Sequence, residues 1–319
     1  MRQEYQKSQS LSSYDMLAKI TEKKTSSQRA ASLMWDAGVI GLSGKHRIED
    51  CGMQVHILSD ADQERKRLEG GFYCGHRFCP ACAWRTSRKN AVMIDCICKQ
   101  ATQDGHALYF ATLTVPNVDA DQLKDAVRNL GKWYNHLTKL KGYNRIAGHI
   151  RKVEVTYNAT MDTYHPHLHL LWILPKRGVK QIPLSVQELT KNWQRITGEH
   201  VVSAAQDVQR ARIANRGAVF ELAKYTAKSS DYLQGYNQIR AFVNALTNAR
   251  LVTFAGKAAI YRDMYKNGEL DKHKQIDCTQ YYFRETYNWV CNSEYVITSA
   301  DKLEEPLTLQ IDEEGGEED

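Results

Sequence analysis

The segment His165-Pro-His-Leu-His-Leu-Leu-Trp172 constrains the fold more than any other part of the sequence, because histidines and apolar residues alternate along it. Successive side chains of a β-strand point to opposite faces of a sheet. On a strand, the three histidines therefore share one face, while Leu168, Leu170 and Trp172 point from the other face into a core. The sequence predicts a sheet with a cluster of imidazoles on its second face.

A cluster of imidazoles is costly unless the rings bind a cation or contact water, and imidazole is a common ligand of divalent metals. A hard ion that activates phosphate also takes oxygen ligands. Glu154 is the candidate, since a hairpin with the preceding strand would bring it beside His167 and His169. Two alternatives stay open: a half-exposed strand that happens to carry histidines, and a solvent-facing Glu154 paired with Lys152 or Arg151.

The remaining patterns predict an α+β fold, with a central antiparallel sheet and flanking helices. Alternating or β-branched runs predict strands at residues 107–115, 150–157, 165–174, 200–208 and 251–254. Apolar residues at helical spacing predict helices at residues 86–100, 119–140, 184–196, 215–228, 236–249 and 257–266. The second and third strands are expected to form a hairpin.

Within the predicted helix at residues 215–228, Glu221, Tyr225 and Lys228 form one stripe at positions i, i+4 and i+7. A tyrosine phenol, with a pKa near 10, is a poor nucleophile unless a metal or a lysine stabilises the charge that develops on attack. A carboxylate four residues away could take a proton from tyrosine or from water. Taken alone, the stripe also fits an ordinary amphipathic helix.

Four cysteines, namely Cys51, Cys74, Cys79 and Cys82, have the composition of a structural zinc site. The turn Cys79-Pro-Ala-Cys82 is the strongest local signal, and His76 is a possible substitute ligand. The alternative is a set of buried free thiols. Basic residues nearby, such as Arg77 and Arg85, could form a DNA-binding surface on the same unit.

The formal charge is unevenly distributed along the chain. Residues 301–319 contain nine acids and one lysine, so this tail carries −8 and the rest of the chain +14. A body this basic favours a polyanionic partner such as nucleic acid. Since lysines and arginines also solvate ordinary surfaces, the motifs have to decide between the two interpretations.

Together, these motifs resemble the HUH endonucleases, and within them the rolling-circle replication initiators (Rep proteins) of small Gram-positive plasmids. The subgroup is the one that pairs a glutamate with a tyrosine four residues later. The order and spacing of the motifs carry the resemblance, which extends from about residue 46 to about residue 270. The matching stretches are Cys74–Arg85, Ala111–Asn117, Val153–Asn158 with His165–His169, and Glu221–Asp231.

The resemblance implies a palm-like sheet of ferredoxin or RRM type and assigns roles to the motif residues. His167 and His169 would bind a catalytic Mg²⁺ or Mn²⁺, with Glu154 and His165 competing for the remaining ligand position. Tyr225 would be the nucleophile and Glu221 the residue that activates water. Lys228 matches the lysine that often follows the catalytic tyrosine.

The implied function is plasmid rolling-circle initiation: strand-specific nicking of the double-strand origin through a 5′-phosphotyrosine, then strand transfer and termination. The expected partners are origin DNA that is single-stranded at the nick, a host polymerase and a host helicase, with the protein a monomer or a dimer. The alternatives are another HUH enzyme, such as a transposase or relaxase, and a non-catalytic zinc-containing DNA-binding regulator. Relaxases usually place the tyrosine before the histidines, whereas Tyr225 follows them.

The composition along the chain predicts five segments and a cytoplasmic protein. The first thirty residues lack an apolar core, and the apolar run Leu170–Leu174 is too short to cross a bilayer. The segments are a flexible arm (1–45), a zinc-binding and DNA-binding unit with a helix (46–100), the endonuclease core (101–235), a helical C-terminal region (236–300) and a disordered acidic tail (301–319).

Overall fold

The computed structural model describes residues 13–198, 219, 222–223, 227–291 and 293–310. The chain divides into two compact units. The histidine unit is residues 87–274, and the cysteine unit joins residues up to Thr86 with those from Gln275 onward. No helix in the described ranges combines the length and the apolar character that a membrane crossing requires.

The helices and strands follow one another along the chain, with helices between single strands and hairpins. Those up to the middle of the chain are α1 (Ser13–Asp36), α2 (Leu42–Glu49), β1 (Gln54–Ser59), β2 (Lys66–Gly71), α3 (Pro80–Gln103), β3 (Leu108–Thr114), α4 (Leu123–Leu137), β4 (Gly148–Asn158) and β5 (Thr163–Ile173). The later ones are α5 (Val186–Thr197), α6 (Ser229–Tyr232), α7 (Tyr236–Leu246), β6 (Val252–Gly256), α8 (Lys257–Lys266), β7 (Ile276–Val290) and β8 (Glu294–Gln310).

The histidine unit is built on an antiparallel sheet in the order β3-β5-β4-β6. The strands β4 and β5 form the predicted hairpin, and their register places Glu154 opposite His167 and Lys152 opposite His169. The order β3-α4-β4-β5-α5 follows the start of a ferredoxin-like βαββαβ chain. The prediction of an α+β fold with an antiparallel sheet and flanking helices is confirmed.

The two faces of this sheet are chemically different, as the alternation on β5 requires. On one face Leu168, Leu170 and Trp172 are buried, and the indole N–H of Trp172 donates to the hydroxyl of Tyr134 on α4 at 3.0 Å. On the other face the far end of β5 joins an apolar cluster that contains residues of α3 and α8. The histidines continue that second face, so one end of it is apolar and the other end is polar.

The cysteine unit contains a second antiparallel sheet in the order β2-β1-β7-β8. The Glu285 carboxylate on β7 is buried and accepts hydrogen bonds from Lys66 Nζ at 2.6 Å, Tyr287 Oη at 2.6 Å and Ser59 Oγ at 2.9 Å. Burial alone would raise the pKa of the Glu285 carboxyl, but the hydrogen bonds from Lys66, Tyr287 and Ser59 outweigh it and lower that pKa. This carboxylate therefore joins three strands of the sheet.

Replacing Glu285 with glutamine is expected to lower the free energy of unfolding by ~2 kcal/mol at pH 7, since hydrogen bonds to a charged group are strong. A carboxyl whose pKa is lower in the folded state than in the unfolded state stabilises the fold. This contribution is complete above the unfolded-state pKa, near 4.3, and is lost as pH falls through the folded-state pKa. The difference between parent and variant should therefore shrink in acid. Urea unfolding at pH 7 and in acid, with the exposed Glu305→Gln as control, tests this, and a difference that is independent of pH would contradict it.

The structure differs from the sequence prediction at both ends of the cysteine unit. Where a flexible arm was predicted, residues 13–36 form the helix α1, which buries Met16, Ile20 and Met34. Where a helical region and then a disordered tail were predicted, residues 276–310 form the long hairpin of β7 and β8. Acidic residues of β8, such as Glu304 and Glu305, are exposed. Because a disordered tail is also rich in exposed acidic residues, the composition of this segment did not reveal the strand.

The helices predicted at residues 236–249 and 257–266 correspond to α7 and α8. The strand predicted at residues 200–208 lies outside the described residues, and of the helix predicted at residues 215–228 only residues 219, 222–223 and 227–228 are described. The observed units also divide the chain differently from the five predicted segments, because the boundary between Thr86 and Ser87 lies within α3.

Candidate active site and metal centres

The polar end of the β5 face brings together Glu154, His167 and His169. One potential ligand atom from each lies within 4.8 Å of the others, and all three residues are buried. The Nε2 atom of His169 is 3.2 Å from a carboxylate oxygen of Glu154. Adjacent antiparallel strands and a matched register are therefore sufficient to assemble a carboxylate and two imidazoles.

Neighbouring side chains orient the His169 ring. Its Nδ1 atom is 3.2 Å from the Thr112 hydroxyl on β3, and the Phe110 ring stacks on it with centroids 5.7 Å apart. A hydrogen bond at one imidazole nitrogen commonly determines which nitrogen is presented to a metal. Thr112 therefore fixes His169 with its Nε2 directed toward Glu154.

The ionisation of these groups suits a metal ligand set. Burial lowers the pKa of His167 to about 4, so its imidazole is neutral at physiological pH. Burial alone would raise the pKa of the Glu154 carboxyl, but the hydrogen bond with His169 and the charge of Lys152 outweigh it and lower that pKa. A neutral imidazole and an ionised carboxylate are the forms that bind divalent cations.

His165 lies outside this group, although the sequence left it in competition with Glu154 for one ligand position. Its ring is half-buried, and its Nδ1 atom is 2.9 Å from the side-chain oxygen of Asn117. Of the two candidates, the structure brings Glu154 together with His167 and His169.

Lys152 is the residue of this site that the sequence did not assign. The sequence analysis considered Lys152 only as one possible partner of a solvent-facing Glu154, but its side chain is fully buried. Its Nζ atom donates to Oε2 of Glu154 at 2.7 Å. The two residues are two positions apart on β4 and share a face, so their spacing alone was a signal that they could pair.

Two of the three predicted catalytic residues, Glu221 and Tyr225, lie outside the described residues, whereas parts of the chain on either side of them are described. Leu222 and Ala223 are buried in the apolar cluster that also contains Leu171 of β5. The carbonyl of Ala223 accepts a hydrogen bond from Ser87 Oγ at 2.7 Å. The residues adjacent to Glu221 therefore pack on the sheet face that carries the histidines.

On the C-terminal side of Tyr225, Lys228 is exposed and immediately precedes α6. The helix α6 lies against β4, and burial raises the pKa of its Asp231 carboxyl. Tyr232 is buried with its ring 6.1 Å from that of Phe242. The second tyrosine of the region thus packs in the interior of the unit.

The cysteine unit brings together all four predicted cysteines. One sulfur atom from each of Cys51, Cys74, Cys79 and Cys82 lies within 4.8 Å of the others. The Cys82 sulfur is 3.5 Å from that of Cys51 and 3.6 Å from that of Cys74. A tetrahedral zinc with bonds of 2.3 Å separates its sulfur ligands by about 3.8 Å, so the spacing fits such an ion.

Backbone amides support the negative charge that a metal-bound thiolate carries. The N–H groups of Cys74, Gly75 and His76 point at sulfur atoms of the cluster over 3.2 to 3.5 Å. Hydrogen bonds from the other three cysteines lower the pKa of Cys79 far below its ordinary value. His76 is not one of the grouped ligands, and its Nδ1 accepts the amide hydrogen of Phe78.

The helix α1 contributes two buried polar residues to this cluster. The Ser27 hydroxyl is 3.3 Å from the Cys79 sulfur and accepts the amide hydrogen of Ala81. Lys24, also buried, donates to the carbonyl oxygens of Cys51, at 3.0 Å, and of Glu49. The sequence missed both residues because its prediction for this segment was a flexible arm.

The other four cysteines are separate from the cluster. Cys96 and Cys98 are buried in the apolar core around α3, and burial raises the pKa of Cys96 to about 11. Cys278 and Cys291 are exposed. All eight cysteines are free thiols in the structure.

Comparison with known proteins relates the whole arrangement to one family. Residues 65–296 match a family model described as replication protein. A "Protein rep" of Staphylococcus aureus is 34% identical over 221 residues, which are 68% of this chain and 95% of that protein. A "Protein rep" of Bacillus amyloliquefaciens is 28% identical over 246 residues, 69% of this chain and 71% of that protein. No solved structure matches significantly.

Proposed function

This chain belongs to the replication protein family, and we propose that it initiates plasmid rolling-circle replication by cutting one strand of the origin with Tyr225. One observation carries the proposal. A carboxylate and two imidazoles meet on the face of the sheet where Leu222 and Ala223, which precede Tyr225, also pack. Ala223 precedes Tyr225 by two residues in the sequence.

In the proposed reaction, the phenol oxygen of Tyr225 attacks the phosphorus of a phosphodiester in the origin. An O–P bond to the tyrosine forms, the bond between phosphorus and the 3′-oxygen breaks, and the phenol proton passes to that 3′-oxygen. The products are a 5′-phosphotyrosine and a free 3′-hydroxyl, which a host polymerase extends after a host helicase opens the duplex.

Glu154, His167 and His169 would hold Mg²⁺ or Mn²⁺, which when bound polarises the phosphate and stabilises the charge of the transition state. Two imidazoles and one carboxylate leave coordination positions for phosphate oxygens, as a site for phosphate chemistry needs. Lys228 is exposed and follows Tyr225 closely in the sequence. It would stabilise the negative charge that develops on the phenol oxygen during attack.

Glu221 is proposed to end the cycle. After one round of replication, the carboxylate of Glu221 takes a proton from a water molecule, and that water cuts the regenerated origin. Glutamine keeps the shape of this side chain but cannot accept the proton. In Glu221→Gln we expect the covalent adduct to form normally, while the hydrolytic cut slows by about 10²–10⁴-fold.

Single-turnover reactions that follow adduct formation and hydrolytic cleavage separately measure the effect of Glu221→Gln. Glu188→Gln, on α5, serves as the matched control. Equal loss of both steps in Glu221→Gln would contradict the assignment, because it would place Glu221 in the nucleophilic step.

Trapping of the covalent intermediate tests the proposed function. A single-stranded origin oligonucleotide is incubated with the protein and Mg²⁺ or Mn²⁺, and the mixture is then denatured. A label at the 3′ end should remain with the protein, and a label at the 5′ end should leave on a fragment that polymerase can extend. Origin binding without any adduct in either metal would instead support a non-catalytic DNA-binding regulator.

A further inference from the structure

Lys152 is a buried charge that the proposed reaction does not use. It lies on β4 on the same face as Glu154 and opposite His169, and its side chain has no exposed surface. Lysine is almost never fully buried unless it is paired, and here its Nζ atom donates to Glu154 at 2.7 Å. The fold therefore places a cation directly beside a candidate metal ligand.

This cation changes the net charge of the ligand set. The Glu154 carboxylate is the charged member of the ligand set, and the Lys152 ammonium that donates to it offsets its negative charge. The affinity of a site for a hard divalent ion depends on the charge of its ligands. A positive charge in a buried site also acts on the ion with little screening by water or salt. Glu154, His167 and His169 should consequently bind a divalent ion weakly on their own.

We propose that Lys152 makes metal binding at Glu154, His167 and His169 depend on a DNA phosphodiester, whose negative charge replaces the one that Lys152 cancels. This inference rests on the proposed nicking function and adds a condition to it: the ion is held tightly only while the DNA strand is in place. Mg²⁺ is commonly bound by one or two carboxylates together with substrate phosphates.

The proposal has one consequence for DNA affinity and another for the metal content of the protein without DNA. Linkage is reciprocal, so a bound ion tightens DNA binding by the same factor by which DNA tightens ion binding. Lys152 acts through Glu154, because it is fully buried and bonds to that carboxylate, so it is a positioning residue. A protein without DNA would then carry little catalytic metal.

The first measurement is Mn²⁺ affinity without DNA, read from the electron paramagnetic resonance signal of free Mn²⁺. Lys152→Met keeps the length of the side chain and removes its charge. We expect it to bind Mn²⁺ at least about tenfold more tightly than the parent protein. Lys191→Met removes an exposed lysine of α5 and should change nothing. Weaker binding in Lys152→Met would show that the lysine mainly holds Glu154 in place, and would overturn the proposal.

The second measurement does not require the Lys152 variant to fold. In a Tyr225→Phe background, which prevents cutting, Mn²⁺ is titrated with and without a single-stranded origin oligonucleotide. We expect Mn²⁺ affinity to rise at least about tenfold with DNA, and DNA affinity to rise by the same factor with Mn²⁺. If Lys152→Met folds, DNA should raise its Mn²⁺ affinity by a smaller factor than in the protein with Lys152. Equal Mn²⁺ affinities with and without DNA overturn the proposal.

The two hypotheses can fail separately. Mn²⁺ binding without DNA involves no cutting, so the Lys152 effect can be seen even if no covalent adduct ever forms. In the opposite case, the adduct forms while Mn²⁺ affinity does not respond to Lys152 or to DNA. That outcome would leave the nicking function standing and remove the charge coupling.

Discussion

Replacing Tyr225 with phenylalanine is expected to abolish the covalent protein–DNA adduct and to reduce nicking by at least about 10³-fold. The substitution removes the attacking oxygen and changes neither the charge nor the approximate size of the side chain. DNA affinity should therefore remain within about threefold of the parent value, because binding depends mainly on charged contacts to phosphates. Adduct formation and equilibrium binding to the same oligonucleotide measure the two effects.

Tyr232 provides the matched control for this experiment. It lies seven residues after Tyr225, and its buried ring packs near Phe242. Tyr232→Phe should keep the packing of the ring, and adduct formation should stay within a few-fold of the parent rate. Loss of the adduct in Tyr232→Phe together with its retention in Tyr225→Phe would exchange the roles of the two tyrosines and refute the assignment.

We propose that the cysteine cluster holds a structural zinc ion, and we expect removal of this ion to unfold much of the cysteine unit. A structural zinc of this type contributes about 10–16 kcal/mol in small zinc domains, where metal binding and folding are one process. Cys79→Ser deletes a buried ligand that accepts hydrogen bonds from the other three cysteines. We expect the parent to contain one zinc per chain and Cys79→Ser to contain close to none.

Hydrogen exchange should locate the loss of structure. The amides of α1 around Lys24 and Ser27 should lose protection when a chelator is added or in Cys79→Ser, because both side chains contact the cluster. Cys278→Ser changes an exposed thiol and should leave zinc content and protection unchanged. A chain without zinc that still protects α1 would show that the cluster is not a structural metal site.

The hairpin of β4 and β5 shows how far alternation alone can predict a site. Histidines and apolar residues alternate on β5, so a strand there had to separate them onto opposite faces. The chain between residues 158 and 163 is short, so the neighbouring strand had to return antiparallel beside it. Both predictions hold, and the observed register brings Glu154 beside His167.

The helix α1 shows why other parts could not be predicted. Its buried face includes Lys23, Lys24 and Ser27 as well as apolar residues, so the sequence lacks a clean apolar stripe. Lys24 can be buried because its hydrogen-bond partners, the carbonyls of Glu49 and Cys51, come from distant positions in the chain. The strand β8 is similar, since its acidic residues stay exposed and only its pairing with β7 makes it a strand.

The sequence by itself determined the α+β class, the family resemblance, the four cysteines and the shared face of His167 and His169. These depend on spacing within short segments, which the geometry of helices and strands translates directly into position. Only the tertiary structure decided that Glu154 joins the two histidines, that Lys152 is buried against it, and that α1 contributes to the cysteine cluster. Those facts depend on burial, because a charge that is harmless in water must find a partner once the fold removes the water.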